Sequence, residues 1–195
     1  MIGLVGVSKR FGERVVFRDY SVSLEAGRVT AVLGANGSGK TTLGRLLLGL
    51  ETPDVGAVTG VAGFRRAAVF QENRLCEQLT AVGNVRLVLP RSVSRSAVAD
   101  DLRAVGLDDE SLAKPVRLLS GGQRRRVALV RGLVGHADLV VLDEPFTGLD
   151  TEARAVALAW ARERLAGRTA LLITHDRTEP AFFDADVVNL TAPPD

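Results

Sequence analysis

Short, mostly apolar runs alternate with helical patterns along most of this chain. Three of these runs have the length of a strand: Val29–Leu33, Leu139–Leu142 and Ala170–Ile173. Runs without strict polar alternation are typical of strands covered on both faces, as in a parallel sheet. Helical stretches are expected at residues 41–50, 122–135 and 151–165. This alternation favours an α/β core with right-handed crossovers.

The rest of the chain divides into a β-rich start and a polar helical segment. Residues 2–33 are expected to form strands, and residues 58–61 and 67–70 are further candidate strands. From about 80 to 119 the pattern becomes helical and more polar. We expect one domain over 1–195, with a core of about 1–79 and 120–195 and a helical subdomain of about 80–119.

Composition and charge exclude several classes of protein. The 195 residues are 46% hydrophobic and 25% charged, which is typical of a globular domain rather than a disordered chain. The net charge is +2, and basic runs such as Arg65–Arg66 and Arg124–Arg126 are short, so no nucleic-acid partner is expected. The N-terminus lacks the pattern of a secretory signal, and no run of about 18 apolar residues could span a bilayer. A membrane role would therefore need a partner chain.

The single cysteine, Cys76, excludes a disulfide within the chain and fits a reducing compartment. We interpret Cys76 as a small apolar residue rather than a reactive thiol. His136 lies in a loop outside any motif, and we assign it no function.

Residues 34–41 read Gly-Ala-Asn-Gly-Ser-Gly-Lys-Thr, directly after an apolar strand and before a helix. This is the pattern and the context of a phosphate-binding loop. Glycines let the backbone curl so that N–H groups point at phosphate oxygens, and the helix N-terminus adds its dipole. Lys40 is expected to reach the β- and γ-phosphates, and the Thr41 hydroxyl to contact Mg²⁺. The alternative is a glycine-rich turn that happens to carry a lysine, which the flanking strand and helix disfavour.

The apolar strand at 139–142 leads directly into Asp143 and Glu144. In an open α/β sheet the carboxyl end of a parallel strand lies where ligands bind. Asp143 is therefore expected to hold Mg²⁺, and Glu144 to orient and deprotonate the attacking water. Without the phosphate loop upstream, the same pair would equally fit an ordinary strand end.

Residues 119–123 read Leu-Ser-Gly-Gly-Gln, and here the sequence resembles the ATP-binding cassette (ABC) family, whose signature is this pentapeptide. The resemblance covers nearly the whole chain, and the family motifs occur in order. Further matches are Phe11 in Lys-Arg-Phe-Gly, Gln71 in Val-Phe-Gln-Glu, Asp150 in Gly-Leu-Asp and His175 in Ile-Thr-His-Asp. Taken alone, an aromatic such as Phe11 is more often a core residue, so order and spacing carry the resemblance.

The resemblance implies a RecA-like P-loop NTPase fold: a parallel-sheet core, an N-terminal antiparallel β subdomain and a small α-helical subdomain. It also implies ATP and Mg²⁺ as cofactors, with Phe11 stacking on adenine. The implied nucleotide-binding residues are Phe11, Gly34, Ala35, Asn36, Gly37, Ser38, Gly39, Lys40, Thr41 and Thr42. The implied catalytic residues are Glu144, His175, Lys40 and Gln71. The implied metal-binding residues are Thr41, Gln71 and Asp143.

The resemblance further implies a two-fold, head-to-tail pair, either a homodimer or a heterodimer with another ABC ATPase subunit. N–H groups at the start of the helix after the signature form an anion site, which in this family faces the γ-phosphate bound by the second subunit. The residues implied to act on the partner's nucleotide are Ser120, Gly121, Gly122, Gln123 and Asp150. Integral membrane transporter subunits are the other implied partners, and the implied location is the cytoplasmic face of the cell membrane.

Three functions remain open: a transporter motor, a soluble ABC ATPase acting on nucleic acid, the ribosome or metal-cluster assembly, and a silent interaction module. The presence of Glu144 and His175 argues against the last. Two residues stand out. Arg125 lies where the family often has Gln, and we attribute this change to packing. Gly44 has no explanation in the sequence. Residues 71–80 resemble the importer type, although 76–78 are less hydrophobic than is usual. No regulatory domain is expected after His175.

Overall fold

The computed structural model describes residues 2–191. Residue 1 and residues 192–195 of the predicted domain lie outside the described residues. The strands are β1 (Ile2–Phe11), β2 (Arg14–Leu24), β3 (Val29–Leu33), β4 (Val55–Thr59), β5 (Arg66–Val69), β6 (Leu139–Asp143), β7 (Thr169–Ile173) and β8 (Asp186–Asn189). The helices are α1 (Lys40–Leu48), α2 (Ala81–Arg86), α3 (Arg95–Ala104), α4 (Asp109–Ala113), α5 (Gly121–Leu133), α6 (Thr151–Leu165) and α7 (Glu179–Phe182), with a 3-10 turn at Val116–Leu118.

The chain forms two compact units, and the first contains both sheets. This unit comprises residues 1–68, 137–144 and 166–195. An antiparallel sheet has the order β2-β1-β4, and a five-stranded sheet has the order β5-β6-β7-β3-β8. Strand β7 lies parallel between β6 and β3, and β3 pairs in parallel with β8. The predicted α/β fold, with a parallel core and an N-terminal antiparallel sheet, is confirmed.

The parallel strands at the centre of the first unit are apolar because both of their faces are covered. Every residue of β6 and β7 is buried. Side chains of these strands join a hydrophobic cluster with β1, β2 and α1 that includes Leu4, Leu43, Leu47, Val141 and Ile173. The uninterrupted apolar pattern therefore predicted these strands correctly.

Helix α1 is shorter than the predicted 41–50 because a glycine ends it. Gly49 has a φ of 71°, and its N–H donates to the carbonyls of Arg45 and Leu46, as expected for a left-handed C-cap. Inside the helix, a Cβ at Gly44 would lie 2.9 Å from Val141 Cγ1 and 3.2 Å from Ile173 Cδ1. Gly44 thus lets α1 pack closely on β6 and β7, which explains a glycine that the sequence left unexplained.

The second unit is helical and comprises residues 69–136 and 145–165. Helix α2 contacts α3 and α5, and α5 contacts α6. The side chains of Val85, Leu102, Val127 and Leu129 are fully buried. Polar side chains cap these helices: Thr80, Ser94, Asp108, Ser120 and Asp150 each accept a hydrogen bond from a backbone N–H of the first turn.

Some elements differ from the sequence prediction. Strand β8 was missed because its four residues are mainly exposed and lack an apolar run. Strand β4 begins at Val55, three residues before the predicted start, because its backbone pairs with β1 although most of its side chains are exposed. Within residues 2–191, no helix combines the length and the apolar character that crossing a membrane requires.

Candidate functional site

The loop between β3 and α1 curls in the way that the glycine pattern predicted. Gly37 and Gly39 have φ values of 80° and 102°, a region that disfavours other residues. The Ser38 N–H donates to the Ala35 carbonyl at 3.2 Å, which closes the turn. Ala35, Asn36 and Gly37 are exposed. The loop therefore presents backbone to solvent directly before a helix N-terminus, where anions bind.

Two buried polar side chains lie inside this loop. Lys40 Nζ donates to the carbonyl oxygens of Gly34 and Ala35 at 2.7 and 2.9 Å. Ser38 is 2% exposed, and its hydroxyl oxygen has no hydrogen-bond partner among the described residues. A buried hydroxyl without a partner is costly, and an ammonium group is a strong donor. Both features fit a loop built to receive phosphate oxygens.

The first residues of α1 face the end of β6. The Thr41 hydroxyl donates to Asp143 Oδ2 at 2.9 Å, and Asp143 is 6% exposed. These two hard oxygen donors fit Mg²⁺, which usually takes one or two protein ligands and completes its shell with phosphates and water. No group of three or more His, Cys, Asp and Glu in residues 2–191 could hold a metal alone. Thr42, the next residue of α1, is half-buried.

Glu144 lies at the exit of β6 and pairs with His175, which follows β7. His175 Nδ1 is 2.7 Å from Glu144 Oε2. The hydrogen bond and the charge of Glu144 raise the pKa of His175 above its ordinary value. The Glu144 backbone has a φ of 49° while its N–H donates to the Ile173 carbonyl at 2.9 Å. A non-glycine residue in this conformation is strained, as often occurs at functional sites.

Phe11 ends β1 and is 45% exposed, so it is a surface aromatic and not a core residue. Lys9 Nζ lies 5.1 Å from the centre of the Phe11 ring. Three residues after Phe11, Arg14 donates from its guanidinium to the Gly37 carbonyl at 2.6 Å. This bond ties the β1–β2 turn to the phosphate loop. An exposed aromatic ring near that loop suits stacking on a base.

In the helical unit, residues 120–123 begin α5 with a capping box. Ser120 Oγ accepts from the Gln123 N–H at 3.2 Å, and Gln123 Oε1 accepts from the Ser120 N–H at 2.9 Å. The N–H groups of Gly121 and Gly122 lie in the first turn, which has no intrahelical acceptors. A Cβ added at Gly121 would meet no atom within 4 Å, so the surface there is open. The capping box thus uses two of the predicted anion-binding groups and leaves those of the glycines.

Four other residues discussed from the sequence also lie in the helical unit. Gln71 is exposed in the loop after β5. Asp150 caps α6, since its Oδ1 accepts from the Ala153 N–H at 2.9 Å. Cys76 is exposed rather than packed in a core. His136 is exposed in the loop after α5.

Comparison with known proteins decides the family. A family model described as "ABC transporter" matches residues 17–147. The chain belongs to the ABC transporter family. It is 42% identical over 184 residues to the aliphatic sulfonates import ATP-binding protein SsuB of Cupriavidus necator, covering 89% of this chain. It is 40% identical over 193 residues to the Fe(3+) ions import ATP-binding protein FbpC 1 of Rhodococcus jostii, covering 91% of this chain.

This ABC family member spans 60% of the length of that SsuB protein and 56% of that FbpC protein. Its fold is similar to a dimeric bacterial ABC transporter cassette, with a TM-score of 0.85 and 24% identity over 97% of this chain and 94% of that one. A cassette in a post-hydrolysis state with ADP and Pi gives a TM-score of 0.86 at 23% identity over 98% and 94% of the two chains. These structures support the ABC fold.

Several residues of this ABC family member were not predicted to take part in the site. Arg14 and Lys9 contact the phosphate loop and Phe11, and no sequence motif marks them. Arg125 was attributed to packing, but it is a buried donor to Phe70 and Gln71 carbonyls. The only signal in the sequence was its departure from the family's usual Gln.

Proposed function

We propose that this chain binds ATP with Mg²⁺ and hydrolyses it. The observation that carries the proposal is the cluster at the carboxyl ends of β3, β6 and β7. There the Lys40 loop, the Thr41–Asp143 pair and the Glu144–His175 pair belong to one compact unit. A phosphate-binding loop, two oxygen donors for Mg²⁺ and a carboxylate base are the parts that hydrolysis of a nucleoside triphosphate requires.

The phosphate loop would bind the triphosphate through its backbone N–H groups and two side chains. Lys40 is already held by the carbonyls of Gly34 and Ala35, so little side-chain entropy is lost when its ammonium meets phosphate. The Ser38 hydroxyl would gain an acceptor that it lacks within the described chain. Phe11 would stack on the base, since its ring is exposed at the end of β1.

Thr41 and Asp143, together with Gln71, are the residues that we assign to the metal. Bound Mg²⁺ would neutralise the charge that develops on the phosphates. In the described structure the Thr41 hydroxyl donates to Asp143, so the two oxygens already lie at hydrogen-bonding distance from each other.

Glu144 is the group that we assign to the attacking water. Its carboxylate would accept a proton as the water attacks the γ-phosphate, and its strained backbone at the end of β6 fixes where that carboxylate lies. His175 would hold the Glu144 carboxylate in place by a hydrogen bond. Because this hydrogen bond also raises the pKa of His175, the imidazole stays positively charged to a higher pH.

We further propose that two protomers pair head to tail, so that Ser120, Gly121, Gly122, Gln123 and Asp150 of one protomer act on nucleotide held by the other. Support comes from the open first turn of α5 and from the dimeric form of a similar cassette. The other protomer is either a second copy, in a homodimer, or another ABC ATPase subunit, in a heterodimer, and size exclusion of the Glu144→Gln variant separates the two.

The coupled process that we propose is import through separate integral membrane subunits, with this chain bound peripherally at the cytoplasmic face of the cell membrane. Support comes from the names of the similar proteins, which describe ATP-binding proteins for import of aliphatic sulfonates and of Fe(3+) ions. The alternative of a soluble ATPase acting on nucleic acid, the ribosome or metal-cluster assembly is not favoured by these relatives.

Co-purification tests the coupling. The tagged chain, expressed in the organism that it comes from and extracted with detergent, should co-purify with a protein that has several membrane spans. It should hydrolyse ATP faster in that complex than alone. Salt-sensitive binding to ribosomes or DNA, without a membrane protein, would contradict the transport proposal.

A further inference from the structure

Two arginines of helix α5 hold the loop that contains Gln71. Arg125 is 4% exposed, and its Nη1 donates to the Phe70 carbonyl at 2.6 Å, the Gln71 carbonyl at 3.2 Å and Asn73 Oδ1 at 3.2 Å. Arg131 donates to the Arg74 and Asn73 carbonyls at 2.7 and 2.8 Å. Five oxygens of residues 70–74 are thus bound by two side chains of one helix.

The same Arg125 side chain also reaches the segment after β6. Its Nε donates to the Pro145 carbonyl at 2.8 Å, and Pro145 directly follows Glu144 in the chain. A guanidinium is planar and has five N–H donors in a fixed fork, so binding at one end constrains the other. The rigid, buried guanidinium of Arg125 therefore fixes the backbone of Gln71 with respect to that of Pro145.

One residue of the loop has an uncommon backbone conformation. Arg74 has a φ of 46°, which is uncommon for a residue with a side chain, and its guanidinium stacks 4.3 Å from the centre of the Phe70 ring. The loop also has few backbone partners of its own, since residues 71–75 belong to no helix or strand. The bonds from α5 are therefore what restrains Gln71.

We propose that Arg125 is a positioning residue for Gln71: it holds the 70–74 loop and so fixes the backbone that carries the exposed Gln71 side chain, which we assign to the metal. Arg125 binds the Phe70 and Gln71 carbonyls through Nη1 and the Pro145 carbonyl through Nε. A glutamine at position 125 carries its N–H donors on one nitrogen, so it cannot reproduce both sets of bonds. In this chain the loop is consequently fixed more firmly than it would be with Gln. The link to the nucleotide rests on the proposed function, whereas the restraint of the loop does not.

The test compares Arg125→Met, which removes the donors and keeps much of the length, with Arg126→Met. Arg126 is the matched control because it is the next residue of α5 and also donates to loop carbonyls, those of Val105 and Gly106, at 2.9 and 2.7 Å. Arg125→Gln is the conservative variant, and it carries the comparison if Arg125→Met does not fold.

The first measurement is the rate at which trypsin cleaves the Arg74–Leu75 bond of the native protein, with the products identified by mass spectrometry. Such cleavage follows the population of the locally opened loop when opening is fast. We expect cleavage about tenfold or more faster in Arg125→Met, since loss of several hydrogen bonds shifts that equilibrium by at least about one tenfold step. Arg125→Gln should be intermediate, and Arg126→Met should cleave at the wild-type rate.

The second measurement is the Mg²⁺ dependence of ATP binding and of ATP turnover. Arg125→Met should need severalfold more Mg²⁺ for half-saturation and should lose turnover, while its affinity for ATP without Mg²⁺ stays unchanged. Arg125→Gln should recover part of both losses. An unchanged Mg²⁺ requirement in Arg125→Met would overturn the proposal, and so would cleavage equal to that of Arg126→Met. A wild-type protein that binds ATP with Mg²⁺ but never hydrolyses it would instead refute the proposed function, and the binding and cleavage comparisons would still decide the role of Arg125.

Discussion

Replacing Gly44 by alanine tests how closely α1 must pack on the sheet. In an exposed helix this change is stabilising by about 1 kcal/mol, because glycine is the poorer helix former. Here the new methyl would lie 2.9 Å from Val141 Cγ1 and 3.2 Å from Ile173 Cδ1, both on fully covered strands. Overpacking of a well-filled core costs roughly 1–3 kcal/mol. The overpacking cost should exceed the gain, with a net loss of about 1 kcal/mol.

Denaturant and thermal unfolding measure this change. For a domain of this size, about 1 kcal/mol corresponds to a melting temperature lower by about 2–4 °C. Val141→Ala alone should cost more, since deleting two buried methyl groups loses about 0.8 kcal/mol each and leaves a cavity. In the double variant the alanine methyl at 44 would occupy part of that cavity, so the combined loss should be smaller than the sum by about 1 kcal/mol.

Two results would refute this reasoning. If Gly44→Ala were more stable than the wild type by the full helix-propensity gain, α1 would not be packed against β6 as described. If the stability losses of Gly44→Ala and Val141→Ala added to within about 0.5 kcal/mol, the alanine methyl at 44 and the Val141 side chain would not be neighbours.

Three further predictions concern the site. Lys40→Ala should weaken ATP binding by roughly 10–100-fold, as expected for a lost charged hydrogen bond. An unchanged ATP affinity in calorimetry would show that Lys40 does not bind the phosphates. Glu144→Gln should lower the pKa of His175 in an NMR titration, in which His136, the other histidine of the chain, gives the second signal. Because the pKa of His175 is raised in the folded state, the Glu144–His175 pair should contribute its full stabilisation at pH values below the unfolded pKa. That contribution should be lost as pH rises through the folded pKa. A difference in stability between wild type and Glu144→Gln that does not change with pH would contradict the pairing. Asp150→Ala should cost about 1 kcal/mol through loss of the α6 cap, and an unchanged melting temperature would contradict that capping role.

The sequence predicted the parts of the fold that local patterns determine. The strands at 139–142 and 170–173 and the helix after the Ser-Gly-Gly segment were expected because burial on both faces and helix capping leave clear residue patterns. Strand β8 was not expected, because it is short and mainly exposed and owes its place to pairing with β3. Pairing between distant segments leaves no local signal.

The same distinction holds for the site. Lys40, Thr41, Asp143 and Glu144 could be named as candidates because the chemistry expected of them depends on spacing along the chain. The hydrogen bond between Glu144 and His175 joins residues 31 apart, and only folding shows their distance. Arg125 was read as a packing change, since the sequence cannot show that its donors face the carbonyls of a loop more than 50 residues away.

The most direct test of the central claim is Glu144→Gln, examined for ATP turnover and for pairing. Loss of a general base should lower turnover by about 10²–10⁴-fold while ATP still binds. With hydrolysis blocked, ATP and Mg²⁺ should convert the purified variant into a dimer on size exclusion with light scattering. If a partner cassette is required, the dimer should form only when that subunit is added. Wild-type turnover in the variant, or a protein that stays monomeric with ATP and every candidate partner, would contradict the account.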